Sequence, residues 1–168
     1  RAPVEPYGPM HISIGDVKLF FDIEGAKLVP DGPTMRERPT LILLHGGPGF
    51  DHSSYKPIFS PLAEVAQLVY LDQRGNGRSE RGDRAKWTLA QWADDIVAFC
   101  EALGIEKPVV FGNSFGGMVA MAYGIRHPEH PAKLVLSSTT AKTRLDRVHA
   151  AFERLGGPEA RDAAVRYW

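Results

Sequence analysis

The chain has 168 residues, 43% of them hydrophobic and 10% aromatic, which is enough for one globular core and excludes wholesale disorder. Its 20 basic and 20 acidic residues cancel, and no basic stripe is present, so composition argues against nucleic acid or anionic membrane as a partner. The single cysteine, Cys100, excludes an internal disulfide framework and fits a reducing compartment, hence an expected cytoplasmic location.

In chain order, residues 1–10, "RAPVEPYGPM", have no apolar run of the kind a signal peptide carries, and no later run reaches the length of a membrane span. "MHISIGDVKLFFDIEG" predicts two alternating strands joined at Gly15 and Asp16, an antiparallel hairpin. "AKLVPDGPTMRERP", rich in Pro, Gly and charge, is expected to be a surface loop.

"TLILLHGGPGF", "AQLVYLDQRGNG" and "KPVVFGNSFGG" each run an apolar segment into glycines. This is the pattern of parallel strands buried on both faces, with function at their carboxyl ends. "TLAQWADDIVAFCEALG" predicts an amphipathic helix with Thr88 and Gln91 in capping-box positions and Gly104 as its stop. "MVAMAYGIRH" continues the serine turn as a helix and "AKLVLSST" supplies a further strand. Alternating strands and helices after a hairpin imply an α/β fold with a mostly parallel, doubly wound sheet. Beyond Thr140, "RLDRVHAAFERLG" and "GPEARDAAVRYW" predict two helices, the second with Pro158 near its start and no stop before Tyr167 and Trp168. That end is expected to be an interruption rather than a natural terminus.

Residues 112–116, Gly-Asn-Ser-Phe-Gly, fit GxSxG between a strand and a helix. In a nucleophile elbow the serine occupies a strained conformation that projects its hydroxyl, and glycines leave room for the turn. The bland alternative is a serine that caps the helix. "GNSFGG" lacks GxGxxG spacing, and no GxxxxGK followed by Ser or Thr occurs, which argues against a nucleotide site.

"HGGPG" at 45–49, "DQRGNGRS" at 72–79 and "GNSFGG" at 112–117 together resemble the α/β-hydrolase superfamily, most closely its proline iminopeptidase-like branch, over residues 10–140. The resemblance implies an α/β-hydrolase core over 1–141, with about six of eight core strands, and the opening of a helical cap over 142–168. It implies Ser114 as nucleophile, with the backbone N–H groups of Phe115 and Gly47 as oxyanion donors and Gly46 as the alternative donor; it also sets Gly46 and Phe115 against the substrate. His45 is expected to brace its loop, and Asp72 and Arg74 to pair locally. His127 and His130 fall at a helix end, where HxxH spacing also admits a metal, though without a third ligand; Cys100 is expected in the core.

The family's acid and histidine follow two later strands, so the resemblance makes this the N-terminal portion of a hydrolase that needs no metal or organic cofactor. Its partners would be a small-molecule or short-peptide substrate and the C-terminal remainder, joined or separate. The expected activity is that of a proline iminopeptidase-like aminopeptidase or small-amide hydrolase. An esterase or lactonase on a small apolar substrate, a ring-cleavage product hydrolase, and a non-catalytic binding scaffold are the alternatives. The branch often carries tryptophan where this chain has Phe115, and its amine-binding glutamates lie in the cap, where Glu153 and Glu159 match no position.

Overall fold

The computed structural model describes residues 10–167. Residues 1–9 and Trp168, on which expectations about the chain ends partly rest, lie outside the described residues, as does the Tyr167 side chain.

Strands β1 (His11–Ser13) and β2 (Lys18–Glu24) form the expected hairpin, with Ile12 opposite Leu19. The next segment departs from expectation: β3 (Leu28–Asp31) and β4 (Thr34–Glu37) pair as a second hairpin, closed by a two-residue turn with Gly32 at φ 59°. Both strands are largely exposed, so ladder hydrogen bonds rather than a buried face hold them. A hairpin without an apolar face has the composition of a loop.

β5 (Thr40–Leu44), β6 (Gln67–Leu71), β7 (Val109–Asn113) and β8 (Lys133–Ser137) complete a six-stranded sheet of order β1-β2-β6-β5-β7-β8. β5 to β8 run parallel, and β2 joins β6 antiparallel. The period of two in β5 sends Ile42 and Leu44 into one core and Leu43 into another. The first core lies under α2 (Leu89–Leu103) and α3 (Phe115–Arg126), where Ile96, Phe99, Val119 and Tyr123 are buried. The second lies under α1 (Lys56–Phe59) and the 3₁₀ turn Ser60–Glu64, where Tyr55 and Phe59 meet Phe111. Helices on both faces make the sheet doubly wound.

The α2 boundaries follow the sequence. Thr88 Oγ1 accepts from the Gln91 N–H at 3.1 Å, and Gly104 closes the helix at φ 63°. The Gln91 side chain does not complete a capping box; it donates to Asp95 Oδ1 at 2.9 Å. The last helical segment, α4 (Leu145–Tyr167), breaks at Gly157, φ 75°, immediately before Pro158, so it is two helices in sequence, as the proline predicts.

β8 pairs with β7 alone among the described residues, and Leu134, Val135 and Leu136 are 37–46% exposed. With Met118, Met121 and Ile125 of α3, Leu134 lines an apolar groove on that flank of the sheet.

Candidate active site

Ser114 stands between β7 and α3 at φ 51°, ψ −116°, a conformation that costs an L-residue about 1–3 kcal/mol. Neighbours hold it there. Its N–H donates to Ser137 O at 3.0 Å, and its carbonyl accepts from Thr139 Oγ1 at 2.7 Å and from the Gly117 N–H at 3.0 Å. The hydroxyl makes no capping hydrogen bond to the helix, so the bland alternative of a capping serine is not what the turn builds. The glycines around it are compulsory: a Cβ on Gly116 would stand 2.2 Å from Leu44 O, and one on Gly112 would stand 2.3 Å from Gly116 O.

Phe115 opens α3, where a backbone N–H has no acceptor within its own helix. Its ring turns into the core, 8% exposed and edge-on to Trp92 at 4.9 Å.

Residues 45–49 follow β5 and lie against the serine: a Cβ on Gly46 would stand 3.4 Å from Ser114 Cβ. Backbone groups here are assigned one by one. His45 O accepts from Gln73 Nε2 at 3.0 Å, Gly46 O bonds His45 Nδ1 at 2.7 Å, and the Gly49 N–H donates to Asn76 Oδ1 at 2.6 Å. The Gly46 N–H faces the Tyr55 hydroxyl, whose pKa burial pushes up to about 12 against the pull of that amide. Pro48 has no N–H. Gly47 has φ 118°, and among the described residues no side chain accepts a hydrogen bond from its N–H.

His45 is 1% exposed, and its Nε2 accepts from the Gln73 N–H at 3.2 Å, so the ring proton sits on Nδ1 and donates to Gly46 O. Burial lowers its pKa below the usual 6.5, despite the Gly46 bond that raises it. A histidine with both nitrogens engaged braces the loop and has no lone pair to offer as a base.

Asp72 and Arg74 do not pair with each other, contrary to the sequence expectation. Asp72 Oδ1 accepts from His52 Nδ1 at 2.7 Å and from the His52 N–H at 3.0 Å, while Oδ2 accepts from the Arg78 N–H at 2.9 Å. Burial works to raise the Asp72 pKa, and these bonds outweigh it, so the net shift is downward. Arg74 instead grips Asp95 through Nε and Nη2, both at 2.7 Å, and reaches Asp16 at 3.1 Å. Each side chain is taken up by groups far away in the sequence, which draw the two apart.

His127 Nε2 bonds Asp94 Oδ1 at 2.7 Å and His130 bonds the Tyr123 hydroxyl, both at the far end of α3. The 12 residues of that helix set them roughly 18 Å from the serine. Among the described residues no hydrogen bond joins Ser114 to a histidine, and no three His, Cys, Asp or Glu side chains converge as a metal site would require. Cys100 is fully buried, and burial pushes its thiol up to about 12. No helix among the described residues is long and apolar enough to cross a membrane. Tyr55 and His52 carry no signal in the sequence that marks them for this site; for Asn76 the signal is a carboxamide within the glycine-rich turn at 72–79.

Residues 39–163 match the profile of the alpha/beta hydrolase fold. The chain is 37% identical over 123 residues to the proline iminopeptidase PfmaB of Pestalotiopsis fici, covering 71% of this chain and 43% of that protein. It is 39% identical over 98 residues to a 2-hydroxymuconate semialdehyde hydrolase of a Pseudomonas species, covering 57% of this chain and 35% of the relative. Among solved structures, a proline iminopeptidase-related protein of Thermus thermophilus superposes with a TM-score of 0.75 at 24% identity, covering 96% of this chain and 56% of that one. The chain spans less than half the length of the curated relatives it matches. With a profile match over most of its length and the sheet order described above, the chain belongs to the α/β-hydrolase fold family.

Proposed function

We propose that this chain carries the nucleophile and the oxyanion hole of a serine hydrolase that works by acyl transfer. The observation that carries the proposal is the juxtaposition of a strained Ser114 with the adjoining glycine-rich loop, where a Cβ on Gly46 would stand 3.4 Å from Ser114 Cβ. Ser114 Oγ attacks the carbonyl carbon, giving its proton to a base, while the amides of Gly47 and Phe115 hold the developing oxyanion. The carbon–heteroatom bond then breaks, the leaving amine or alcohol takes up that proton, and water cleaves the acyl enzyme to free the acid.

The base and its orienting acid come, in this proposal, from the polypeptide corresponding to the rest of the family's length. The side of β8 that pairs with no strand among the described residues, and its apolar flank of exposed Leu134, Val135 and Leu136, support this, since such an edge accommodates a further strand. The substrate is an N-terminal proline peptide or a small amide, a choice supported by the likeness to the fungal proline iminopeptidase. A second reading, hydrolysis of an apolar ester, lactone or ring-cleavage product, draws on the 39% identity to the Pseudomonas hydrolase.

The test is covalent labelling of the complete enzyme with a fluorophosphonate, followed by peptide mass mapping. Label on Ser114, abolished by Ser114→Ala, is the expected result. An unlabelled Ser114 in folded, complete protein with no turnover of proline amides or esters would assign the chain to a binding scaffold.

A further inference from the structure

Six of the eight phenylalanines pack against another ring: Phe20, Phe21, Phe59, Phe99, Phe111 and Phe115. Of the other two, Phe152 lies in α4 and is 40% exposed, whereas Phe50 is 69% exposed and stacks on no ring among the described residues. Phe50 is not in a slack segment. On one side the Gly49 N–H is held by Asn76 at 2.6 Å, and on the other the His52 N–H and ring are held by Asp72 at 3.0 and 2.7 Å. Its position is fixed against the oxyanion loop: a Cβ on Gly47 would stand 3.1 Å from Phe50 N and 3.7 Å from Phe50 Cβ. Gly46 in turn abuts Ser114.

A solvated phenyl ring on a pinned backbone has unspent apolar surface and little backbone entropy left to lose, the two properties that favour a ligand contact. We infer that Phe50 is a specificity-determining residue, whose ring forms the apolar wall for the acyl group of the substrate. The acyl carbonyl oxygen is held by the amides of Gly47 and Phe115, and the hydrocarbon attached to that carbonyl lies on the Phe50 ring. The inference rests on the proposed acyl-transfer site and adds the class of acyl group it takes: one with a flat or cyclic apolar face, an aryl ring or the methylene face of a pyrrolidine, in preference to a short polar one.

Product-like carboxylates test this without requiring turnover. The ¹⁵N-labelled complete enzyme is titrated with acetate and with 3-phenylpropionate, following the amide resonances of Gly47 and Phe115. Wild-type protein is expected to bind phenylpropionate at least about fivefold more tightly than acetate, and Phe50→Ala to bring the two within about twofold. Phe50→Leu, which keeps an apolar side chain, is expected to retain part of the preference. If both carboxylates shift these amides and the preference survives in Phe50→Ala, the ring is no substrate wall and the inference falls while the oxyanion site stands. If neither carboxylate moves the Gly47 and Phe115 amides, the oxyanion site itself is wrong, and the role of Phe50 falls with it.

Discussion

The side chain of Asn76, from the loop after β6, accepts the Gly49 N–H at 2.6 Å and donates to Arg74 O at 2.9 Å, tying the glycine-rich loop after β5 to its neighbour. Asn76 itself is 3% exposed, although Gly49 is exposed. Truncation in Asn76→Ala removes both bonds but leaves Arg74 O with the Trp92 Nε1–H at 2.9 Å, so a loss of about 0.5–1.5 kcal/mol is expected in urea denaturation. In the complete enzyme kcat is expected to fall roughly ten- to a hundredfold with little change in KM, because a displaced Gly47 amide weakens the transition state more than the bound substrate. Asn76→Asp, which keeps the acceptor, is expected to recover part of kcat; equal losses of kcat in both variants would argue against a positioning role.

Gly116 tolerates no side chain. A methyl there meets the Leu44 carbonyl at 2.2 Å, and backbone on both sides would have to move. Gly116→Ala is expected to cost about 2–3 kcal/mol or to prevent folding, as thermal denaturation would register. Gly15→Ala, with open space around the same methyl but φ 76°, provides the comparison for backbone strain alone.

Stability is expected to decline as pH falls below about 6.5, the ordinary histidine value from which burial depresses His45. Below that pH the unfolded chain takes up a proton on His45 before the folded one does, so protonation favours unfolding until the folded pKa is passed. A second decline is expected below the ordinary aspartate value of 3.8, as Asp72, whose folded pKa is lower, is protonated first in the unfolded chain. Urea midpoints measured across pH in wild type and His45→Gln would separate the His45 part of the first step, which the variant should reduce, leaving the part due to His130, whose pKa burial also lowers.

Cys100 is expected to be inert to a thiol reagent such as dithionitrobenzoate in the native state and to react fully after denaturation. Its sulfur is fully buried and its thiol is held protonated, with a pKa of about 12, so neither access nor thiolate is available.

Much of this architecture was legible in local sequence. The αL stop at Gly104, the cap at Thr88 and the break before Pro158 each depend on one residue type in one conformation, and such signals survive without tertiary context. The β3–β4 hairpin was illegible because its strands bury no face, so the periodicity that betrays a strand is missing from it. The choice of ion-pair partners was illegible too. Arg74 passes over Asp72, two residues away, for Asp95, 21 residues on, and for Asp16, 58 residues back, because the fold buries its guanidinium between them.

The sequence by itself determined the alternation of strand and helix, the GxSxG turn with its small flanking residues, and the glycine-rich loop that must approach it. Those follow from periodicity and from backbone conformations open to few residue types. Only the tertiary structure decided which side chain holds the Gly49 N–H, which histidines are spent as braces, and which phenylalanine of that loop faces solvent. Each of these depends on hydrogen bonds or ring contacts between residues tens of positions apart, such as Asn76 with Gly49 and Gln73 with His45. No spacing rule along the chain encodes them, because adjacent parallel strands bring such loops together only after the sheet has formed.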